Sequence, residues 1–139
     1  MTPMQDLRTL VDDAWNLLDN ERRLDEIGRF LTDDYVRHSS EGDYTRDGFR
    51  AVLAALHAGF PDLVSSIEDA VVEGDRIAYR WTSEGTHLGE YMGVPATRKR
   101  VNAHGITISR IAPDGRIAED WASWNKVSVL HALGIIPIA

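Results

Sequence analysis

At 139 residues, 43% hydrophobic and 27% charged, the chain has the size and balance of one globular domain, not of a disordered segment. A formal net charge of −7 argues against nucleic acid as the main partner, and the lack of cysteine excludes a disulfide framework, thiolate metal sites and a cysteine nucleophile. No run approaches the length of a membrane span, and Asp6, Arg8, Asp12 and Asp13 interrupt any signal-peptide core, so a cytoplasmic location is expected.

Thr2-Pro3 is a good helix start, a hydroxyl cap followed by Pro at the first helical position. Leu7, Leu10, Val11, Ala14, Trp15, Leu17 and Leu18 then recur at helical spacing, which predicts an amphipathic helix to about Asp19. A shorter helix follows through Leu24, Ile27, Phe30 and Leu31, and Tyr35, Val36 and His38 fall in a short extended or turn region. Thr45 can cap a third helix, from Asp47 to about Gly59, with Phe49, Val52, Leu53 and Leu56 as its buried stripe.

From Asp62 the pattern changes to β. Leu63 to Glu73 and Arg76 to Thr86 are joined by the turn signal Gly74-Asp75. A loop broken by Gly89, Gly93 and Pro95 presents Tyr91 and Met92, where a lid over a pocket is expected. Arg98-Lys99-Arg100, the one basic run, reads as a solvated strand start. Two long strands then meet at Pro113-Asp114-Gly115, where Gly supplies the positive φ of a tight return. Val127 to Leu133 reads as a helical turn stopped by Gly134, and the apolar tail Ile135-Ile136-Pro137-Ile138 is expected to pack on its own domain or on a second subunit. Helices followed by antiparallel strands predict an α+β fold, in which a curved sheet and its helices enclose an apolar pocket.

The last hairpin carries the candidate chemistry. His104, Ile106 and Ile108 share one parity, as do Ile117, Glu119 and Trp121, which places a His and a Glu on an apolar wall if both sets face inward. Burial there would raise the pKa of Glu119 toward neutrality and suit it to acid/base work. Asp120 keeps company with Ala118 and Ala122 only, so parity favours Glu119, although a one-residue bulge reverses the choice. Trp15, Trp81, Trp121 and Trp124 offer walls for a flat aromatic ligand. No metal is expected: His38, His87, His104 and Glu119 are suitable ligand types, but no close His pair has metal-ligand spacing. There is no nucleophile elbow or phosphate loop.

DDYVRH (Asp33 to His38), HAGFPDL (His57 to Leu63), EGDRIAYRWTSEGTHLGEYMGVPATRKRV (Glu73 to Val101) and DGRIAEDWASWN (Asp114 to Asn125) together resemble the SnoaL-like polyketide cyclases of the NTF2-like superfamily. The resemblance implies an α+β cone, commonly dimeric, whose deep pocket takes a hydrophobic carbonyl compound. It also implies ring closure by intramolecular aldol chemistry, without metal or organic cofactor. By position it assigns acid/base work to Glu119, with Asp120 as the adjacent alternative, and substrate binding to His38 and His104. Tyr35, Trp15, Trp81, His87, Tyr91, Met92, Trp121 and Asn125 are the expected pocket contacts. Asn125 departs from the family, where Asp is common, and cannot transfer a proton. One such fold carries many chemistries, so a hydroxylase, a hydrolase, an isomerase or a non-catalytic ligand-binding module are the rival expectations.

Overall fold

The computed structural model describes residues 4–134; the expected Thr2-Pro3 helix start and the apolar 135–138 tail lie outside them. Helix α1 (Met4–Trp15) runs into a single π turn (Asn16–Asn20). A 3₁₀ turn (Leu24–Glu26), α2 (Ile27–Phe30), β1 (Leu31–Ser39), β2 (Gly42–Thr45) and α3 (Arg46–Gly59) follow. The chain then lays down β3 (Val64–Glu73), β4 (Arg76–Thr86), β5 (Arg100–Ile111) and β6 (Ile117–Trp124), and closes with α4 (Lys126–Ala132).

The six strands form one sheet in the order β2-β1-β6-β5-β4-β3, curved around α1 and α3, which is the α+β cone. Two strands were not foreseen as such. DDYVRH is the body of a nine-residue strand, β1, and not a turn, because it docks parallel on β6 and antiparallel on β2. That parallel pairing makes the sheet mixed and brings a segment from before α3 beside the last strand, a contact of long sequence separation that local patterning does not reveal.

The expected punctuation is present. Thr45 Oγ1 accepts from Gly48 N at 3.1 Å and caps α3. Gly74 and Gly115 both adopt positive φ at the hairpin turns, and Gly134 does so after α4. Leu7, Val11, Ala14 and Leu18 press one face of α1 and the π turn onto Ile77, Tyr79 and Trp81 of β4, with Ile27, Phe30 and Leu53 completing the core. A second cluster, Phe60, Leu63, Val101, Val129 and Leu133, packs α4 against the sheet near the pocket rim. Gly105 is required where it stands, because an added Cβ would fall on the Ser123 carbonyl and the Trp81 ring.

Candidate active site

The concave face of the sheet, α1, α3 and α4 enclose a cavity of about 710 Å³, within the usual range for small-molecule sites. Its wall is aromatic: Trp15, Tyr79 and Trp81 from one side, Phe49 from α3 and Trp124 from β6. The polar edges of two of these rings are already engaged. Trp81 Nε1 donates to Thr107 Oγ1 at 3.0 Å, and Trp15 Nε1 donates to Tyr79 Oη at 3.2 Å. Those two indoles therefore bring mainly carbon to the cavity.

Asp19, Glu41, Glu90 and Asp120 bring carboxyls to the cavity lining, and Asp120 is the one carried by the sheet wall on β6. The residue is only 4% exposed and lines the cavity. Tyr35 Oη donates to Asp120 Oδ2 at 2.5 Å, Arg37 Nη1 donates to the same oxygen at 3.2 Å, and Ser109 Oγ donates to Oδ1 at 2.5 Å. Ser109 Oγ also meets Tyr79 Oη at 3.0 Å, so the network extends through Tyr79 to Trp15. Burial pushes the Tyr35 hydroxyl well above its ordinary pKa, and the adjacent Asp120 charge adds to this, so Tyr35 stays a donor. Burial would depress the Arg37 guanidinium, but the facing Tyr35 and Asp120 oxygens outweigh it and hold it above its ordinary value. Arg37 also lies 4.4 Å over the Phe49 ring, which fixes its plane beside the cavity.

The expected faces of the final hairpin are reversed. Ile111 pairs with Ile117 and Arg110 with Glu119, so Ala118 is an extra residue, a β-bulge. Ile117 faces the cavity, but beyond the bulge Asp120, Ala122 and Trp124 face it instead of Glu119 and Trp121. On β5 the inward parity belongs to Ala103, Gly105, Thr107 and Ser109, while Ile106 is 55% exposed and His104 is also exposed. The alternation misleads because the inward face carries the small and hydroxyl side chains that serve the Asp120 and Trp81 hydrogen bonds.

Glu119 accordingly sits on the convex face with its own partners. His38 Nε2 and Glu119 Oε2 are 2.7 Å apart, Arg110 Nε donates to Glu119 Oε1 at 3.2 Å, and His38 Nδ1 meets Asp43 Oδ1 at 3.0 Å. The hydrogen bond from His38, with that from Arg110, lowers the Glu119 pKa, opposite to the direction expected from burial in a pocket. His38 is raised by its hydrogen bonds to Glu119 and Asp43 and stacks on Trp121 at 5.4 Å, where Arg76 lies over the same ring.

The other expected contacts divide. Trp15, Trp81, Tyr91 and Met92 line the cavity, the last two at its rim, and Tyr35 reaches it through Asp120. His38, His104 and Trp121 do not, being on the convex side. His87 is fully buried outside the lining, stacked on Phe60 at 5.5 Å with Thr97 N donating to its Nδ1 at 3.2 Å. Asn125 uses its side chain to tie β5 to the end of β6, Oδ1 accepting from His104 N at 2.9 Å. Among the described residues no three His, Asp or Glu side chains are grouped as a metal site.

Arg37, Tyr79, Ser109 and Asp19 are the cavity or network residues that sequence reasoning missed. Arg37 carried one usable signal, since it shares strand parity with Tyr35.

The family model for SnoaL-like polyketide cyclases matches residues 5–133. No curated protein matches the sequence significantly. Among solved structures, AclR, a proposed hydroxylase from Streptomyces galilaeus, is 28% identical, with a TM-score of 0.87 over 99% of this chain and 86% of that one. IdmH, a proposed polyketide cyclase from Streptomyces antibioticus, is 29% identical, with a TM-score of 0.78 over 91% of this chain and 97% of that one. TsrD from Streptomyces laurentii is 24% identical and shares the fold, with a TM-score of 0.85 over 98% of this chain and 100% of that one.

Proposed function

Because the chain belongs to the SnoaL-like polyketide cyclase family, we propose that it closes a ring in a hydrophobic polycarbonyl substrate by aldol chemistry, with Asp120 as the acid/base. The observation that carries this reading is the buried Asp120 carboxylate on the cavity wall, held by Tyr35, Arg37 and Ser109. Asp120 takes a proton from the carbon next to one carbonyl, leaving an enolate. The enolate carbon forms a bond to a second carbonyl carbon, and the new alkoxide recovers the proton from Asp120. The net reaction is an isomerisation and consumes no redox equivalent. Arg37, a fixed cation beside the carboxylate, stabilises the negative charge as it moves onto the substrate oxygen. The aromatic wall excludes water and holds a flat substrate with its carbonyls toward this end. Glu119, the alternative acid/base, would have to act from the convex face, away from the cavity.

The test is turnover of a linear poly-β-carbonyl compound followed by mass spectrometry. A cyclised product of unchanged mass, or one water lighter, is expected, and Asp120→Asn should lose it. A second reading rests on the similarity to AclR: a hydroxylase would add one oxygen to the product mass. We also propose a homodimer formed through the convex face, where Ile106 and Ile108 are exposed beside Trp121 between alternating Arg110 and Glu119 charges. Size-exclusion chromatography with light scattering would show a monomer if this is wrong.

A further inference from the structure

Besides Asp120, Glu41 and Glu90, the cavity is lined by the carboxyl of Asp19, which lies over the other half of the sheet. Asp120 stands on β6 beside β1, whereas Asp19 comes from the π turn that ends α1, a segment packed on β3. The extra residue of a π turn shifts the side chains that follow it, and such turns are frequent at functional sites. Asp19 follows Trp15 by four residues, the helical spacing that puts both on the cavity side, while Asn20 reaches β3, where Asn20 Oδ1 accepts from Ser65 N at 2.7 Å and Asn20 Nδ2 donates to Ser65 O at 3.0 Å. This clamp fixes the turn, so Asp19 is held and not merely tethered.

The surroundings of Asp19 differ from those of Asp120 in one respect that decides its chemistry. Among the described residues no guanidinium or amine comes within ion-pair distance of it, whereas Asp120 has Arg37 at 3.2 Å. Arg22, the nearest loop cation, spends its donors on the backbone carbonyls of Asn20, Pro61 and Leu63. Arg37 of β1 acts on Asp19 only through space, and His57 of α3, hydrogen-bonded to the Asp19 backbone, has its pKa lowered by burial and by Arg22. The Ser65 hydroxyl faces the Asp19 carboxyl and favours its charged form, and its Oγ is also 2.6 Å from Ser83 Oγ. Burial pushes the Asp19 carboxyl up to about 6, against the opposing Ser65, Arg37 and Arg22. A carboxyl so placed retains a proton through mildly acidic pH and has a hydrogen to give.

We propose that Asp19 is a second ligand-contacting residue, the hydrogen-bond donor to a carbonyl oxygen of a flat, fused-ring ketone bound between it and Asp120. The ligand class follows from the wall between the two carboxyls. Trp15 and Trp81, with ring centroids 5.3 Å apart and their ring nitrogens engaged, bring carbon surface suited to fused rings, and Asp19 and Asp120 are polar contacts available to a ligand oxygen. Two such stations bind a molecule with an oxygen at each end better than one with a single polar terminus. The inference rests on the carbonyl-ligand reading above, but not on which residue transfers the proton in turnover.

The test uses xanthone, a flat tricyclic ketone with no titratable group, and xanthene, the same ring system without the carbonyl. Binding is read by quenching of the tryptophans that line the cavity. Wild-type affinity for xanthone should strengthen about tenfold from pH 8 to pH 5, as the donor becomes protonated, while xanthene binding stays level. Asp19→Asn, whose amide donates at every pH, should bind xanthone alike at both values. Carboxyl carbon NMR of the wild-type protein should show an Asp19 midpoint near pH 6 that the variant lacks. Xanthone binding that is absent, level with pH, or stronger at high pH overturns the proposal. So does a pH dependence that survives in Asp19→Asn. If that variant fails to fold, xanthone against xanthene on the wild-type protein, together with its NMR titration, still decides the matter. The same titrations on Asp120→Asn separate the two readings, since its xanthone profile should keep the wild-type pH dependence whatever its turnover.

Discussion

Glu119 and Asp120 are neighbours on β6 with the same functional group, and the sheet gives them opposite surroundings. Asp120 faces the concave side, 4% exposed, with hydroxyls and a buried guanidinium aimed at it and an aromatic cavity in front. Glu119 faces the convex side, outside the lining of this cavity, where hydrogen bonds from His38 and Arg110 lower its pKa. A carboxylate's usefulness in acid/base chemistry depends on what can be bound against it and on how far water is excluded. The contrast teaches that the position of one bulge residue, Ala118, decided which of the two acids faces the cavity.

The sharpest way to break the comparison is to remove each acid in turn. Asp120→Asn should lower kcat by about 10²- to 10⁴-fold, the range typical of a lost acid/base, with the far-ultraviolet circular dichroism unchanged. Arg37→Met should lower turnover, by removing the cation that stabilises the developing charge, and stability as well. Taking one partner from the buried Arg37–Asp120 pair leaves an uncompensated charge, which costs about 3 to 5 kcal/mol and is measurable by urea unfolding.

Asp19→Asn should move stability the other way. The Asp19 pKa rises from 3.8 unfolded to about 6 folded, so the stability it confers is fully present below pH 4 and is lost as pH rises through 6. Its replacement should therefore stabilise the protein at pH 7, by on the order of 2 kcal/mol, and leave it unchanged or weaker at pH 4. Equal unfolding midpoints for the two proteins at both pH values would contradict this.

Glu119→Gln should have the smallest effect. Turnover should stay within about twofold of wild type, because the substitution is on the face away from the cavity. A large loss of kcat in Glu119→Gln, with Asp120→Asn active, would reverse the comparison altogether. The His38–Glu119 contact should show only in titration. Glu119 is held lower by His38, so its contribution is kept above its unfolded pKa and fades as pH falls, while the contribution of the raised His38 is kept in acid and fades as pH rises through its folded pKa.

Much of the fold was legible because its signals are local. The helical stripe from Leu7 to Leu18, the Thr45 cap, the Gly74-Asp75 and Asp114-Gly115 turns and the Gly134 stop all express backbone and burial preferences within a few residues. The resemblance located the late strand and the acidic pair on it. The site was less legible because it depends on faces. His104, Ile106 and Ile108 look like an inward set by hydrophobicity, yet the cone turns Thr107 and Ser109 inward to satisfy Trp81 and Asp120. His38 and Trp121 lie beside Glu119 but stack on each other on the convex side, away from the cavity lining.

By itself, then, the sequence determined the main helices, the four later strands, their turns, the α+β architecture and the short list of acids on which chemistry could rest. Only the tertiary structure decided which acid meets the cavity, because a single extra residue in β6 inverts the alternation and no periodicity announces it. It also decided that Arg37 and Tyr35 reach Asp120, through the parallel pairing of β1 with β6 across more than eighty residues of chain. And it put Asp19 in the same cavity, four residues after Trp15 on the side that packing of this segment against β3 turns inward.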